Sequence, residues 1–231
     1  MSVQTVRKIS GFLAAAEHLP EGGTLIVPDV AWEEYERLLA ELGDRTRFRV
    51  SFDHGRLEIM SPSPIHEIYK ELISDVGRMT ADLTEVELEK LGSTTFTPGT
   101  FDEGAEPDTC FYVQNSARII GKRKIDLSLD PPPDVAVEID ISRASTDKLA
   151  IYQSLGVPEV WIYDEQRLRI HHLTGQGYIE MSNSLAFPVL TADALTEVLE
   201  KCKTAGQGAA LRSFRQWLKS NLPDETDDEV K

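Results

Sequence analysis

Residues 132–142 read PPDVAVEIDIS and lie within the most informative stretch of the chain, Pro107–Asp164. After the Pro-Asp pair, branched apolar residues alternate with small or acidic ones. A period of two predicts a β-strand, because successive side chains of a strand point to opposite faces. Glu138 and Asp140 then share one face, opposite Val137 and Ile139. Since a charge is costly to bury unpaired, these carboxylates need a partner such as a metal ion.

A second Pro-Asp pair opens the stretch EPDTCFYV at residues 106–113, which predicts a neighbouring strand over Thr109–Val113. Lys148 lies in the first turn of a helix that Ser145 is expected to cap. Mg²⁺ prefers oxygen ligands and usually takes one or two carboxylates beside a phosphate. Asp108, Glu138 and Lys148 therefore form a set that suits a metal ion next to a phosphodiester.

Each of these residues also has a plainer interpretation. A Pro-Asp pair before a strand is common turn chemistry, so Asp108 alone fits a structural role, and Asp134 is assigned to a turn. Asp140 is an added ligand, a cap for the turn at Ser142 or a partner of Arg143, and Lys148 alone resembles any solvated helix lysine. Glu138 is the hardest to explain away, because it interrupts an otherwise apolar strand.

The remaining patterns predict a mixed sheet flanked by helices, an α/β or α+β fold. We expect one structural domain: an N-terminal extension at 1–44, a core at 45–190, and C-terminal helices with an acidic disordered tail at 191–231. The predicted strands are Thr24–Val27, Arg47–Phe52, Arg56–Met60, Val160–Tyr163, Leu168–Leu173 and Tyr178–Met181, and the predicted helices include one from Trp32 to Gly43 and one over Ile65–Leu83.

Composition limits the class of protein. The chain has 231 residues, 41% of them hydrophobic, and no apolar run long enough to span a membrane. Met1–Ser10 has no apolar signal region, and Cys110 and Cys202 make no metal-binding spacing, so we expect a cytoplasmic protein with free thiols. The net charge of −15 argues against sequence-independent binding of nucleic acid, which needs clustered Lys and Arg.

Several phrases of the sequence, in order, closely resemble the Uma-type putative restriction endonucleases, a bacterial family of the PD-(D/E)XK nuclease superfamily. The phrases are GRLEIMSPSPIHE at 55–67, EPDTCFYV at 106–113, PPDVAVEIDIS at 132–142 and DKLAIYQSLGVPEVWIYD at 147–164, with WEEYERLLAELGD and FRQWL outside them. The resemblance covers most of residues 24–220. It implies a restriction-endonuclease-like core and a site for Mg²⁺ or Mn²⁺ that hydrolyses phosphodiester bonds in nucleic acid, DNA being favoured.

The resemblance also implies roles for single residues. Asp108 and Glu138 match the motif acids that hold the metal, and Lys148 matches a lysine displaced from the strand to the helix. Asp140 stands where the superfamily lysine usually does, so this chain departs from the standard pattern. His66 matches a residue beside the metal site, with Glu67 as the adjacent alternative; the plainer interpretation of His66 is a helix-start histidine bonded to a neighbouring loop. The other hypothesis is a non-catalytic binding or assembly module, and the sequence leaves a homodimer or higher oligomer open.

Overall fold

The computed structural model describes residues 10–43, 48–92, 94–97, 103–140 and 148–222. Within these ranges the chain forms two β-sheets and their flanking helices. The strands are β1 Thr24–Val27, β2 Arg49–Asp53, β3 Arg56–Met60, β4 Glu89–Leu91, β5 Glu103–Gly104, β6 Thr109–Tyr112, β7 Val135–Ile139, β8 Glu159–Tyr163, β9 Leu168–Thr174 and β10 Gly177–Met181. The helices are α1 Ser10–Ala16, α2 Trp32–Leu42, α3 Pro64–Thr84, α4 Lys148–Ser154, α5 Ala192–Ala205 and α6 Gln207–Asn221.

The smaller sheet is four-stranded and antiparallel, in the order β1-β3-β2-β5. It has its own apolar core, in which Tyr35 and Leu38 of α2 pack with Phe52 and Leu57 of the hairpin. The hairpin turns at Asp53-His54-Gly55, where both central residues, His54 and Gly55, have positive φ, as a tight two-residue turn requires.

The larger sheet has six strands in the order β10-β9-β8-β7-β6-β4. Its neighbouring strands are antiparallel except for β7 and β8, which run parallel. A parallel pair needs a crossover connection, and α4 lies in that connection. The strand that carries Glu138 is therefore internal, with β6 on one side and β8 on the other.

The two faces of the larger sheet are covered by different helices. Phe111, Val137 and Trp161 pack with residues of α3, α5 and α6 in one core. Cys110 and Ala136 pack with Ile151 of α4 in another. Because β7 alternates, Glu138 shares the α4 face with Ala136.

The N-terminal end of helix α3, which carries His66, is fixed by a cap. Pro64 occupies its first turn, and the Ser63 side chain accepts a hydrogen bond from the His66 backbone N–H at 3.3 Å. Further along, Gly77 lets the helix approach β6 closely, because a Cβ there would lie 2.8 Å from the Phe111 ring. The cap and this contact together hold the start of α3 beside the sheet.

The predicted fold class is confirmed: the structure is a mixed α/β arrangement with helices on its sheets. The strands Thr24–Val27 and Arg56–Met60 and the helix that begins at Trp32 have their predicted limits, and other ends differ by one or two residues. The separate smaller sheet and the short strands β4 and β5 were not predicted. Expectations for Arg47, for residues 141–147 with the Ser145 cap, and for the acidic tail lie outside the described residues.

Candidate active site

Asp108 and Glu138 lie side by side on adjacent strands. The antiparallel register pairs Thr109 with Val137, so Asp108, one residue earlier, lies next to Glu138. The strands are joined there by two bonds to Asp108: its N–H donates to the Val137 carbonyl at 3.1 Å, and its Oδ2 accepts from the Ile139 N–H at 2.8 Å. Both acidic side chains are buried, with 1% of Asp108 and 3% of Glu138 exposed.

Helix α4 supplies two side-chain donors to Glu138. Lys148 donates from Nζ to Oε2 at 2.6 Å, and the Tyr152 hydroxyl donates to Oε1. The two donors are four residues apart, so they lie on one face of the helix, one turn from each other. Lys148 is thus held against the predicted acid rather than extended into solvent, and its side chain is only 14% exposed.

Two basic side chains from other elements approach Asp108. His66 Nε2, from the first turn of α3, lies 3.1 Å from Oδ2. Arg49, from β2 of the smaller sheet, places Nε 3.6 Å from Oδ1. Its guanidinium also lies 3.7 Å from Glu106 Oε1 and 3.4 Å from Glu67 Oε1. The site therefore joins the two sheets and α3 through a buried network of opposite charges.

The network shifts the pKa values of the two acids in opposite directions. Burial raises the pKa of Glu138 to about 7, because it and the nearby Asp108 charge outweigh the opposing effect of Lys148. Burial also acts to raise the pKa of Asp108, but the hydrogen-bonding contact and charge of His66, with Lys148 and the Ile139 N–H, lower it below its ordinary value. The pKa of Lys148 is raised, since Glu138 and Asp108 outweigh its desolvation. At neutral pH the site therefore keeps Lys148 protonated and Asp108 ionised.

A comparison with protein families matches residues 32–201 to Uma2, the family described as "Putative restriction endonuclease". The chain belongs to this family. Among solved structures, it is similar to the crystal structure of a putative nuclease belonging to DUF820 from Anabaena variabilis ATCC 29413, with a TM-score of 0.50 and 17% identity over 74% of this chain and 99% of that one. That likeness supports the fold alone. No curated protein gives a significant match.

The Uma2 resemblance predicted from the sequence phrases is therefore confirmed. The structure brings four of the predicted residues into one network: Asp108, Glu138, Lys148 and His66. Glu67 lies at its edge, where its Oε2 is 2.5 Å from Lys70 Nζ. The roles predicted for these five residues stay predictions.

Asp140 follows β7 directly, and its N–H donates to the Tyr163 carbonyl at 2.8 Å. Its side chain is partly exposed, unlike that of Glu138. The alternative roles proposed for it, at Ser142 or Arg143, involve partners outside the described residues. Whether it adds a ligand is therefore a prediction as well.

Three members of the network were not predicted from the sequence. Arg49, Glu106 and Tyr152 had no role assigned. The i,i+4 spacing of Lys148 and Tyr152 was the available signal for Tyr152. Glu58 of β3 also had no role assigned; it is buried, and its charge helps to raise the pKa of Lys148.

The basic loop between β6 and β7 lies at the other end of these strands. β6 leads away from Asp108 and β7 returns to Glu138, so Arg118, Lys122 and Arg123 are one strand length from the acids. Lys122 pairs there with Asp130. These residues therefore do not contribute to the charge balance around Asp108 and Glu138.

A second group of possible metal ligands lies on the smaller sheet. Among the described residues, Asp53, His54 and Glu103 each place one ligand atom within 4.8 Å of the others. His54 is 67% exposed, and its Nδ1 lies 2.7 Å from Asp53 Oδ1. This carboxylate–histidine cluster was not predicted. In the same described part of the chain, none of the helices is long and apolar enough to cross a membrane.

Proposed function

We propose that the chain is a divalent-metal-dependent nuclease that hydrolyses phosphodiester bonds in nucleic acid, with Mg²⁺ or Mn²⁺ as its cofactor and DNA as the favoured substrate. The observation that carries the proposal is the pairing of two buried carboxylates on adjacent strands with a lysine that is only 14% exposed. Membership of the Uma2 family supports it. The acidic exterior favours a restricted substrate, such as a nucleic-acid end or a complex delivered by a partner.

The residues present suit a hard cation. Asp108 and Glu138 offer oxygen donors, which Mg²⁺ prefers. A carboxylate has about four acceptor positions, so the donors that Glu138 binds from Lys148 and Tyr152 leave capacity for a metal. The raised pKa of Glu138 points the same way, because it reflects a buried acid whose charge the present cations compensate only in part. Asp108 and Glu138 are therefore the residues that would hold the ion.

A bound divalent ion would activate water and stabilise charge on the phosphate. The side chains of the chain would do the rest. Lys148, kept protonated by the two acids, would lie beside the phosphate or orient the attacking water. Tyr152 would fix the rotation of the Glu138 carboxylate. His66 would keep Asp108 ionised and oriented, since it contacts the oxygen that also accepts the Ile139 N–H.

The test compares wild-type protein with Glu138→Gln on plasmid DNA, linear DNA and RNA, with Mg²⁺, Mn²⁺ or a chelator. The matched control is Glu159→Gln, which changes another fully buried strand glutamate whose partners include Trp161 and backbone N–H groups. We expect metal-dependent cleavage by wild type and the folded control and none by Glu138→Gln. Equal cleavage by all three preparations would assign the activity to a contaminant.

The alternative function is a non-catalytic binding or assembly module on a nuclease-like fold. Two observations favour it: the net charge of −15, and Asp140 in the position of the usual strand lysine. Metal-dependent thermal stabilisation separates the two functions. A module without the chemistry should melt at the same temperature with and without Mg²⁺ or Mn²⁺.

A further inference from the structure

A shallow groove between α3 and α6 lies outside the candidate active site. Its apolar floor is formed by Met79 and Leu83 of α3 and Leu211 of α6, all half-buried. The floor is continuous with the apolar core beneath the two helices. On the same side of α3, two turns before Asp75, Ile68 is 37% exposed. The floor and Ile68 thus form an apolar strip along α3.

Four exposed charged residues form the rim of this groove: Asp75, Arg78, Asp82 and Arg215. Among the described residues, none of the four has an ion-pair partner within 4.0 Å or a side-chain hydrogen bond. By contrast, Asp164 and Arg169 pair with each other elsewhere on the surface. The rim therefore presents two acids and two arginines whose charges are met only by solvent.

The charge of the rim identifies the kind of partner. The chain as a whole carries −15, so two copies repel each other at most orientations. The rim is neutral in sum, with equal numbers of acids and arginines. A two-fold axis brings the same patch of both copies together, so that residue i meets residue j and j meets i. Asp75, Arg78 and Asp82 lie on α3, and Arg215 lies on α6 across the groove. A two-fold axis along the groove therefore sets the α3 side of each rim, with its two aspartates, against Arg215 of the other copy.

We propose that the α3–α6 groove binds the same groove of a second copy, forming a two-fold symmetric dimer. The apolar floors of the two copies cover each other, and Arg215 of one rim faces the aspartates of the other. Removing the apolar floor from water supplies the attraction, and the rim charges select the orientation. The proposal is independent of nuclease activity, because the groove contains none of the residues of the candidate active site.

The experiment measures the mass of the full chain by sedimentation velocity at two protein concentrations. We expect wild type at twice the monomer mass of 25.8 kDa. Arg215→Glu should weaken the dimer at least about tenfold, since it leaves both facing rims with excess negative charge. Met79→Glu, which charges the floor, should do the same. The double variant Asp75→Arg/Arg215→Glu restores the balance and should recover dimerisation.

The matched control is Arg123→Glu, which changes the net charge by the same amount on the exposed loop between β6 and β7. It should leave the dimer unchanged. Circular dichroism checks that every variant is folded. A monomeric wild type overturns the proposal, and so does a dimer that folded Arg215→Glu and Met79→Glu leave at full strength, because its interface then lies elsewhere.

Discussion

The two ends of the β6–β7 pair carry the same dipeptide, Pro-Asp, yet the two aspartates have different partners. Each is buried, and each accepts a backbone N–H from the end of the other strand: Asp108 from Ile139 at 2.8 Å, and Asp134 from Val113 at 2.7 Å. Asp134 also binds Asn115 through that residue's backbone N–H at 3.0 Å and its Nδ2 at 2.6 Å. Asp108 instead faces charged side chains.

The difference shows what distinguishes a candidate active site from a structural cap. The local hydrogen bond to the neighbouring strand is shared by both ends, so it explains only the fold. What is particular to Asp108 is the pair of basic side chains beside it, His66 from α3 and Arg49 from the smaller sheet. Asp134 accepts its other hydrogen bonds from the uncharged Asn115. The proposed chemistry therefore depends on contacts that come from distant parts of the chain.

We expect the largest effect from replacing Arg49, which contacts Asp108 at one end of the β6–β7 pair. Arg49→Leu should lower the free energy of unfolding by about 3–5 kcal/mol, because it leaves Asp108 buried without that cation. Asn115→Ala, at the Asp134 end, should cost about 2 kcal/mol. Urea unfolding at neutral pH measures both. Arg49→Lys keeps the charge and should cost less than Arg49→Leu; equal losses for all three would remove the distinction between the two ends.

Replacing Asp108 and Asp134 by asparagine, one at a time, should have the next largest effect. Asp108→Asn should reduce metal-dependent cleavage at least about 100-fold, since it removes a predicted metal ligand. Asp134→Asn should leave the activity of the folded protein unchanged but lower its stability by about 2 kcal/mol, because its amide would oppose an N–H donor. Initial rates, corrected for the folded fraction, give the comparison. Similar losses of activity from both variants would show that Asp108 acts through folding alone.

The spacing of apolar residues predicted most strands and helices, because an element that buries one face repeats its apolar residues at the period of its backbone. β7 and α3 have clear patterns, and Gly43 ends α2 as predicted. The contact of Arg49 with Asp108 was not predictable, since 59 positions separate them and nothing in the spacing encodes their approach. The same holds for the division into two sheets, because β4 and β5 are too short to show a period.

We expect a smaller effect from removing a tyrosine hydroxyl at each end of the β6–β7 pair. Tyr152→Phe removes one of the two donors on Glu138 and should lower the cleavage rate about tenfold, the cost of one hydrogen bond to a charged group. Tyr112→Phe removes a hydroxyl that donates to the Pro131 carbonyl at 3.2 Å, near Asp134, and should leave the rate unchanged. Equal rates for both variants would mean that the orientation of Glu138 does not limit catalysis.

The smallest effect is the direct response of stability to metal. With Mg²⁺ at about ten times its Kd, binding to the folded state should add about 1.4 kcal/mol, which raises the melting temperature by about 3–6 °C. Asp134→Asn should keep this increase, whereas Asp108→Asn should lose it. Differential scanning calorimetry with Mg²⁺, Mn²⁺ and chelator measures the shift.

Asp53, His54 and Glu103 provide the control for that experiment, because this cluster could bind the same ion on the smaller sheet. Glu103→Gln should leave the metal-induced shift in place if the ion binds between Asp108 and Glu138. A shift that survives Asp108→Asn but disappears in Glu103→Gln would move the metal to the exposed cluster. The buried acids of the larger sheet would then be a structural ion-pair network, and the two ends of β6 and β7 would differ in charge but not in function.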